Sequence, residues 1–249
     1  MTVGQIFDAL NQFAPVETAL DFDNVGLLVG TKDAEVTCVL VALDITHTVV
    51  DDAVKVGANL IVSHHPIIFS PLHAVESDSI VGKLLQNGIS AVCMHTNLDA
   101  AQGGVNDTLA NLLGLSDVIT PEEDPLMRIG TVPACELSEF LQNFCEKLGL
   151  PTVKYRGNGR VSKVGLCGGS ACEGAALAYS LGCDTYITGE VKHHIWLEDG
   201  KNLIEGGHFA TENPVCETLV SYLRREFPSL AVSVSKENCD PASYYIRKE

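Results

Sequence analysis

Short, continuous apolar runs alternate with segments of helical periodicity along most of the chain, as expected of strands covered on both faces and joined by helices. Residues 1–15, MTVGQIFDALNQFAP, read as an amphipathic helix. Ala19–Gly30 places polar Asp23 and Asn24 before an apolar run hinged at Gly26, which predicts a tight turn into a strand. Cys38–Leu43 is the next strand, closed by Asp44; Val49–Val56 is a helix stopped by Gly57, and Leu60–Ser63 returns as a strand. Ser79–Gln86, ended by Gly88, is a helix, Ser90–Met94 a strand, and Asn106–Leu113 a further helix. Patterning weakens from Leu115 to Val161, where a breaker-rich loop (Pro121–Pro125) leads to a strand, a helix over Leu137–Leu148 and another strand. Val164–Cys167, Glu173–Leu181 and Thr185–Thr188 then repeat the order strand, helix, strand.

The repetition is visible in the residues. A shift of 125 lays VLVALD (Val39–Asp44) over VGLCGG (Val164–Gly169) and AVKVGANLIVS (Ala53–Ser63) over AYSLGCDTYIT (Ala178–Thr188) without a gap, bringing Gly57 onto Gly182. A shift of 113 lays AVCMH (Ala91–His95) over IEGGH (Ile204–His208). Two α/β lobes of similar build account for this, residues 1–120 and 121–249, interlocked rather than independent; chance likeness of two α/β units is the alternative. In such sheets ligands collect outside the carboxyl ends of the strands.

The polar residues at those ends carry the candidate chemistry. Leu60–Ser63 runs into His64, His65 and Pro66. Adjacent strand residues point to opposite faces, but where Pro66 forces the chain out of the sheet both imidazoles can face one cavity. A pair of loop histidines in a turn is the plainer alternative. His95, Asn97 and Asp99 leave a second strand end; Glu190, His193, His208 and Glu212 cluster at the matching ends of the second half. Imidazole and carboxylate without thiolate suit zinc, manganese, iron or nickel. The donors outnumber one tetrahedral site, so two ions about 3.5 to 4 Å apart fit the inventory. The helix after GHFATENP is expected to begin at Pro214 with Asn213 as N-cap, leaving Glu212 just outside it, either a ligand or an acid favoured by the helix dipole. Glu190 and His193 have the Glu-x-x-His spacing of one helical face, as ligands or as partners orienting ligand imidazoles.

Composition narrows the function. With 16 basic and 32 acidic residues the net charge is −16, which opposes general nucleic-acid binding. Lys154, Arg156, Arg160 and Lys163 concentrate positive charge, read either as a solvated basic turn or as charge partners of an anionic substrate. Nine cysteines lie singly, with no CxxC pair, as reduced packing residues do. No apolar run approaches a membrane span and the N-terminus lacks the marks of a leader, so a cytoplasmic protein with no membrane partner is expected. No P-loop is present, and the Gly168-Gly169 turn is at most a generic anion site.

Taken together, DNVGLLVG (Asp23–Gly30), SHHP (Ser63–Pro66), HTNLD (His95–Asp99), GGSA (Gly168–Ala171), TGEVKHH (Thr188–His194) and GHFATE (Gly207–Glu212) resemble the NIF-three-like family (NGG-one-interacting factor three-like), also known as type 2 homologues of GTP cyclohydrolase I. The resemblance spans nearly the whole chain. It implies a two-lobed α/β subunit with mixed, mostly parallel sheets, a toroidal homohexamer, and a dinuclear centre of divalent ions. By motif the ligands are His64, His65, Asp99, His208 and Glu212, with Glu212, His95 and Glu190 expected to serve catalysis. The family's longer members insert an extra domain where this chain has only Leu115–Val161, and Ala171 stands where the glycine motif ends in glycine. The expected activity is hydrolysis of a small anionic substrate, a nucleotide or other phosphorylated compound. The alternatives are a non-catalytic metal-binding hexameric scaffold and a regulatory partner-binding protein.

Overall fold

The computed structural model describes residues 1–198 and 201–245. Helix α1 (Val3–Phe13) opens with a capping box in which Thr2 and Gln5 exchange side-chain and backbone bonds, and it buries Val3, Ile6 and Leu10 along one stripe. After it come β1 (Gly26–Val29), β2 (Cys38–Ala42), α2 (His47–Val56), β3 (Leu60–Ser63), α3 (Ile80–Gln86), β4 (Ser90–Cys93) and α4 (Thr96–Ala100). Thr46 caps α2 at its start, and Gly57, in the left-handed region at φ 73°, closes it.

The second run comprises α5 (Val105–Leu113), β5 (Ser116–Ile119), β6 (Arg128–Glu136), α6 (Leu137–Leu148), β7 (Lys154–Arg156), β8 (Arg160–Cys167), α7 (Gly174–Ser180), β9 (Thr185–Thr188), β10 (Asn202–Glu205) and α8 (His208–Glu212). Helix α9 (Val215–Glu226) and β11 (Ala231–Val234) follow. Two compact units result, Met1–Gly104 with Val215–Cys239, and Val105–Pro214 with the residues from Asp240 onward. This division differs from a single cut at residue 120, because α5 joins the unit of β6 and α9 returns to that of β2.

In the first unit the sheet order is β1-β4-β3-β2-β11, with only β1 antiparallel to its neighbour. Strands β3 and β4 are wholly buried, which explains their unbroken apolar character. In the second unit the order is β5-β6-β8-β9-β10-β7, parallel through β8, β9 and β10 and antiparallel outside them. The α/β class and the mixed sheets match the sequence-based expectation.

Strand register makes the internal likeness quantitative. Val39 pairs with Leu60 and Ala42 with Ser63; Val164 pairs with Thr185 and Cys167 with Thr188, each residue displaced by 125. The second correspondence needs a correction: Leu60 pairs with Ser90 and Thr185 with Asn202, so β4 maps onto β10 with a shift of 112, not 113. His208 is therefore the counterpart of Thr96, not of His95, and α4 and α8 begin and end at matching positions.

Within the second unit a buried ion pair fixes α5 to β6. Arg128 is almost fully buried, pairs with Asp107, and donates to the carbonyls of Pro125 (3.0 Å) and Met127 (3.1 Å). Removing one partner of such a pair leaves a charge without compensation. Asp107→Ala is expected to lower unfolding free energy by about 3 kcal/mol, read as a reduced urea midpoint at unchanged slope.

Candidate metal centre

In the first unit, His64 and His65 follow β3 and His95 follows β4, so the parallel ladder delivers three imidazoles to one end of the sheet. One ring nitrogen of each lies within 4.8 Å of the others, and the ring centroids are 4.9 to 5.6 Å apart. Each Nδ1 is held by an oxygen. His64 Nδ1 meets the Met94 carbonyl at 2.9 Å, His65 Nδ1 meets Asp44 Oδ1 at 2.7 Å, and His95 Nδ1 meets Asp23 Oδ1 at 2.9 Å. An oxygen acceptor at Nδ1 selects the tautomer with hydrogen there, so Nε2 is the nitrogen that could serve as a ligand. Asp99, from α4, places its Oδ1 3.7 Å from His64 Nε2.

Asp23 is buried, which by itself raises its pKa, yet hydrogen bonds from the Thr96 hydroxyl, His95 and the Thr96 amide together pull it below the ordinary carboxylate range. Burial and the neighbouring His64 push the His95 pKa down, outweighing the opposing pull of Asp23. His95 is thus a neutral ligand-competent imidazole at pH 7. Cys93 sits beside this cluster, its thiol held protonated chiefly by burial and donating to the His64 carbonyl.

In the second unit, α8 begins immediately after β10, entered through Gly207 at φ 84°. The helix expected to start at Pro214 is α9, which starts one residue later at Val215, and the short helix α8 before it was not expected. Asn213 has helical torsions, φ −52° and ψ −33°, and donates to the Phe209 carbonyl, so it extends the turn instead of capping a new one. This change matters: His208 and Glu212 are now i and i+4 on one helical face, with His208 Nε2 3.0 Å from Glu212 Oε2.

Glu190 holds the other side of that ring, its Oε1 3.0 Å from His208 Nδ1. The Ser170 hydroxyl donates to Glu190 and is the main reason its pKa lies below the usual value, against the cost of partial burial. Glu190 and His193 do not share a helical face. Glu190 lies in irregular chain after β9 and His193 in the 3-10 turn His193–Leu197, exposed to solvent, so the Glu-x-x-His spacing has no helical meaning here.

The Gly168-Gly169 turn is not an open anion nest. Its amides are taken by Asn106 Oδ1 (2.8 Å) and Thr211 Oγ1 (3.2 Å), and its work is to admit Glu212. A Cβ on Gly169 would lie 2.1 Å from Glu212 Oε1 and 3.4 Å from His208 Nε2. Ala171 fits without difficulty, its amide donating to Thr188 Oγ1 and its carbonyl accepting from Tyr186. The four residues of the basic cluster have separate partners. Lys154 pairs with Glu205 at 2.6 Å, and Arg156 donates to the carbonyls of Ile195 and Trp196. Arg160 donates to the Ala134 carbonyl and Lys163 to that of Leu181.

Both units pass the chemical test for a cation. When Nδ1 of His208 donates to Glu190, its Nε2 lone pair faces the Glu212 carboxylate, two acceptors 3.0 Å apart. That contact is favourable only with a proton or a metal ion between them. The orienting residues Asp23, Asp44 and Ser170 and the Met94 carbonyl were not among the sequence candidates. For the aspartates the available signal was an acidic residue at the end of a strand that neighbours a histidine-bearing one.

An α/β protein of two internally similar units, each ending its parallel strands in anchored imidazoles and carboxylates, defines the class. The chain belongs to the Duf34/NIF3 (NGG1p interacting factor 3) family, whose model matches residues 1–241. It is 32% identical over 261 residues to the GTP cyclohydrolase 1 type 2 homolog of Clostridium perfringens, covering 98% of this chain and all of that one. It is also 32% identical to the Lactococcus lactis protein of the same name, over 97% of this chain and 98% of that one. The crystal structure of Staphylococcus aureus protein SA1388 superimposes with a TM-score of 0.89 at 30% identity, covering 98% of this chain and 99% of that one. No helix among the described residues is long and apolar enough to cross a membrane.

The cradle at Gly169 generates a matched comparison. Gly169→Ala and Gly149→Ala carry similar backbone costs, at φ 62° and 65°, but a Cβ at Gly149 meets nothing within 4 Å. Gly149→Ala is expected to lose about 1 kcal/mol, and Gly169→Ala more than that together with weakened metal retention. Thermal unfolding and elemental analysis of both variants check this.

Proposed function

We propose that the chain holds two divalent ions and hydrolyses a small anionic substrate, a nucleotide or other phosphorylated compound. The ligands proposed are His64, His65 and Asp99 from the first unit and His208 and Glu212 from the second. The observation that carries this reading is the fastening of ring Nδ1 atoms to oxygen acceptors in both units, which presents Nε2 as ligand. A structural core histidine needs one hydrogen bond, not several rings turned toward one another and toward carboxylates. The names of the clostridial and lactococcal relatives are consistent with a nucleotide substrate.

Divalent ions bound there supply Lewis acidity and acidify water to a pKa of about 7. The protein's own residues do the positioning. Glu190, locked by Ser170, keeps His208 in its ligand tautomer, and Gly169 lets the buried Glu212 carboxylate stand beside that ring. Burial of His64 and Glu212 strengthens their electrostatic interactions by excluding water. Arg156 and Lys163 are held by backbone carbonyls, whereas Lys154 and Arg160 stay largely exposed. We further propose a cytoplasmic homohexamer, on family resemblance.

Protein purified without chelator is expected to carry about two divalent ions per chain, and His208→Ala fewer. On a panel of nucleotides and phosphoesters, Glu212→Gln should lose about 100-fold in kcat. Equal turnover by both proteins would assign the activity elsewhere. Full metal occupancy with no turnover by the native protein would favour the scaffold.

A further inference from the structure

We infer that Lys192 and the cavity beside Glu190 form a subsite for a phosphate group of the substrate, and that Glu173 occupies Lys192 until that group arrives. The inference deepens the hydrolase reading and rests on it. The cavity has a volume of about 280 Å³ and is lined by Ser170, Cys172, Glu190, Val191 and Lys192. Pockets that enclose whole ligands start at about 300 Å³, so this one suits a single polar group of a substrate and not a whole nucleotide. It shares a wall with the candidate metal centre: Glu190 Oε1 lies 3.0 Å from His208 Nδ1, and the Ser170 hydroxyl holds the other carboxylate oxygen. Two residues of backbone span at most about 7 Å, which keeps Lys192 close to Glu190.

The chain that carries Lys192 is fixed along its backbone. The Glu190 amide donates to the Gly169 carbonyl (2.9 Å), the Val191 amide to Glu205 Oε2 (3.0 Å), and the Lys192 amide to the Cys172 sulfur. A solvated surface turn leaves such amides to water; here they hold the root of the lysine at the cavity rim. The far end of the side chain is where movement is cheap. Lys192 is 65% exposed and pairs with Glu173, itself 56% exposed. Water screens both charges of such a pair, so a phosphate oxygen can replace the carboxylate at little cost. Lys192 is the cation among the residues lining the cavity, and each oxygen of Glu190 already faces a donor. Arg156, Lys163 and Lys201, by contrast, donate to backbone carbonyls, and Lys154 pairs with the less exposed Glu205.

The test uses the full-length, metal-loaded chain with inorganic phosphate as the probe, titrated by calorimetry. Lys192→Met is expected to weaken phosphate binding about 10-fold, and Glu173→Gln to tighten it about two- to fivefold by releasing the lysine. In a Lys192→Met background Glu173→Gln should have no effect, because both residues act through one ammonium group. Lys83→Met, which removes an ion pair in the first unit, should change nothing. Metal content and unfolding temperature should stay native in every variant; if Lys192→Met fails to fold, Lys192→Gln is measured in its place. Native-like binding by the Lys192 variant, or equal tightening by Glu173→Gln with and without Lys192, would overturn the subsite, as would a native chain that binds no phosphate. Turnover of a nucleotide or phosphoester by that native chain would still leave the hydrolase reading standing. The expected pattern in a chain that turns over nothing would keep the phosphate subsite and overturn hydrolysis.

Discussion

Parallel pairing that ends level is the constraint on which the rest of the structure depends. Ala42, Ser63 and Cys93 lie side by side across β2, β3 and β4, as do Cys167, Thr188 and Glu205 across β8, β9 and β10. Each sheet therefore releases its chains at one edge, and the residues just past that edge meet those of the neighbouring strand. The contacts follow strand adjacency: Asp44 after β2 with His65 after β3, the Met94 carbonyl after β4 with His64 after β3, and Asp23 before β1 with His95 after β4. In the second unit Ser170 after β8 holds Glu190 after β9, which holds His208 after β10. A slip of one residue in any ladder would turn these side chains to the other face.

The energetic consequence is that orientation is set before any ion arrives. A ring whose Nδ1 is already hydrogen-bonded does not have to lose rotamer freedom on binding, so less of the ligand's binding free energy is spent on order. The second unit adds steric control. Only glycine at position 169 leaves room for the Glu212 carboxylate, and the left-handed backbone there is one that glycine adopts without strain. Packing, backbone conformation and site chemistry thus coincide in a few residues at the sheet edges.

Much of this was legible in the sequence. Apolar runs located β2, β3 and β4, the repeated strand, helix, strand order located β9, Gly57 marked a helix end, and the 125-residue repeat agrees with the strand register residue for residue. The short helices were missed for a physical reason: Thr96–Ala100 and His208–Glu212 make little more than one turn each, too few residues for a 3.6-residue period to emerge. That omission misplaced Glu212 outside a helix and aligned His95 with His208. The anchors were hidden differently. Asp23 and His95 are 72 residues apart, and the acceptor for His64 is a backbone carbonyl, which no side-chain pattern reports. Lys154, Arg156, Arg160 and Lys163 looked like a cluster only in sequence, because their partners come from other strands and turns.

The central claim is that anchored imidazoles present Nε2 to a metal ion. Anomalous diffraction at the metal absorption edge, from crystals grown without chelator, tests it most directly. The account predicts anomalous peaks about 2.0 to 2.2 Å from Nε2 of His64 and His65, with every Nδ1 still bound to its oxygen. Peaks beside Nδ1, or strong anomalous density only at sites remote from these rings, would contradict it.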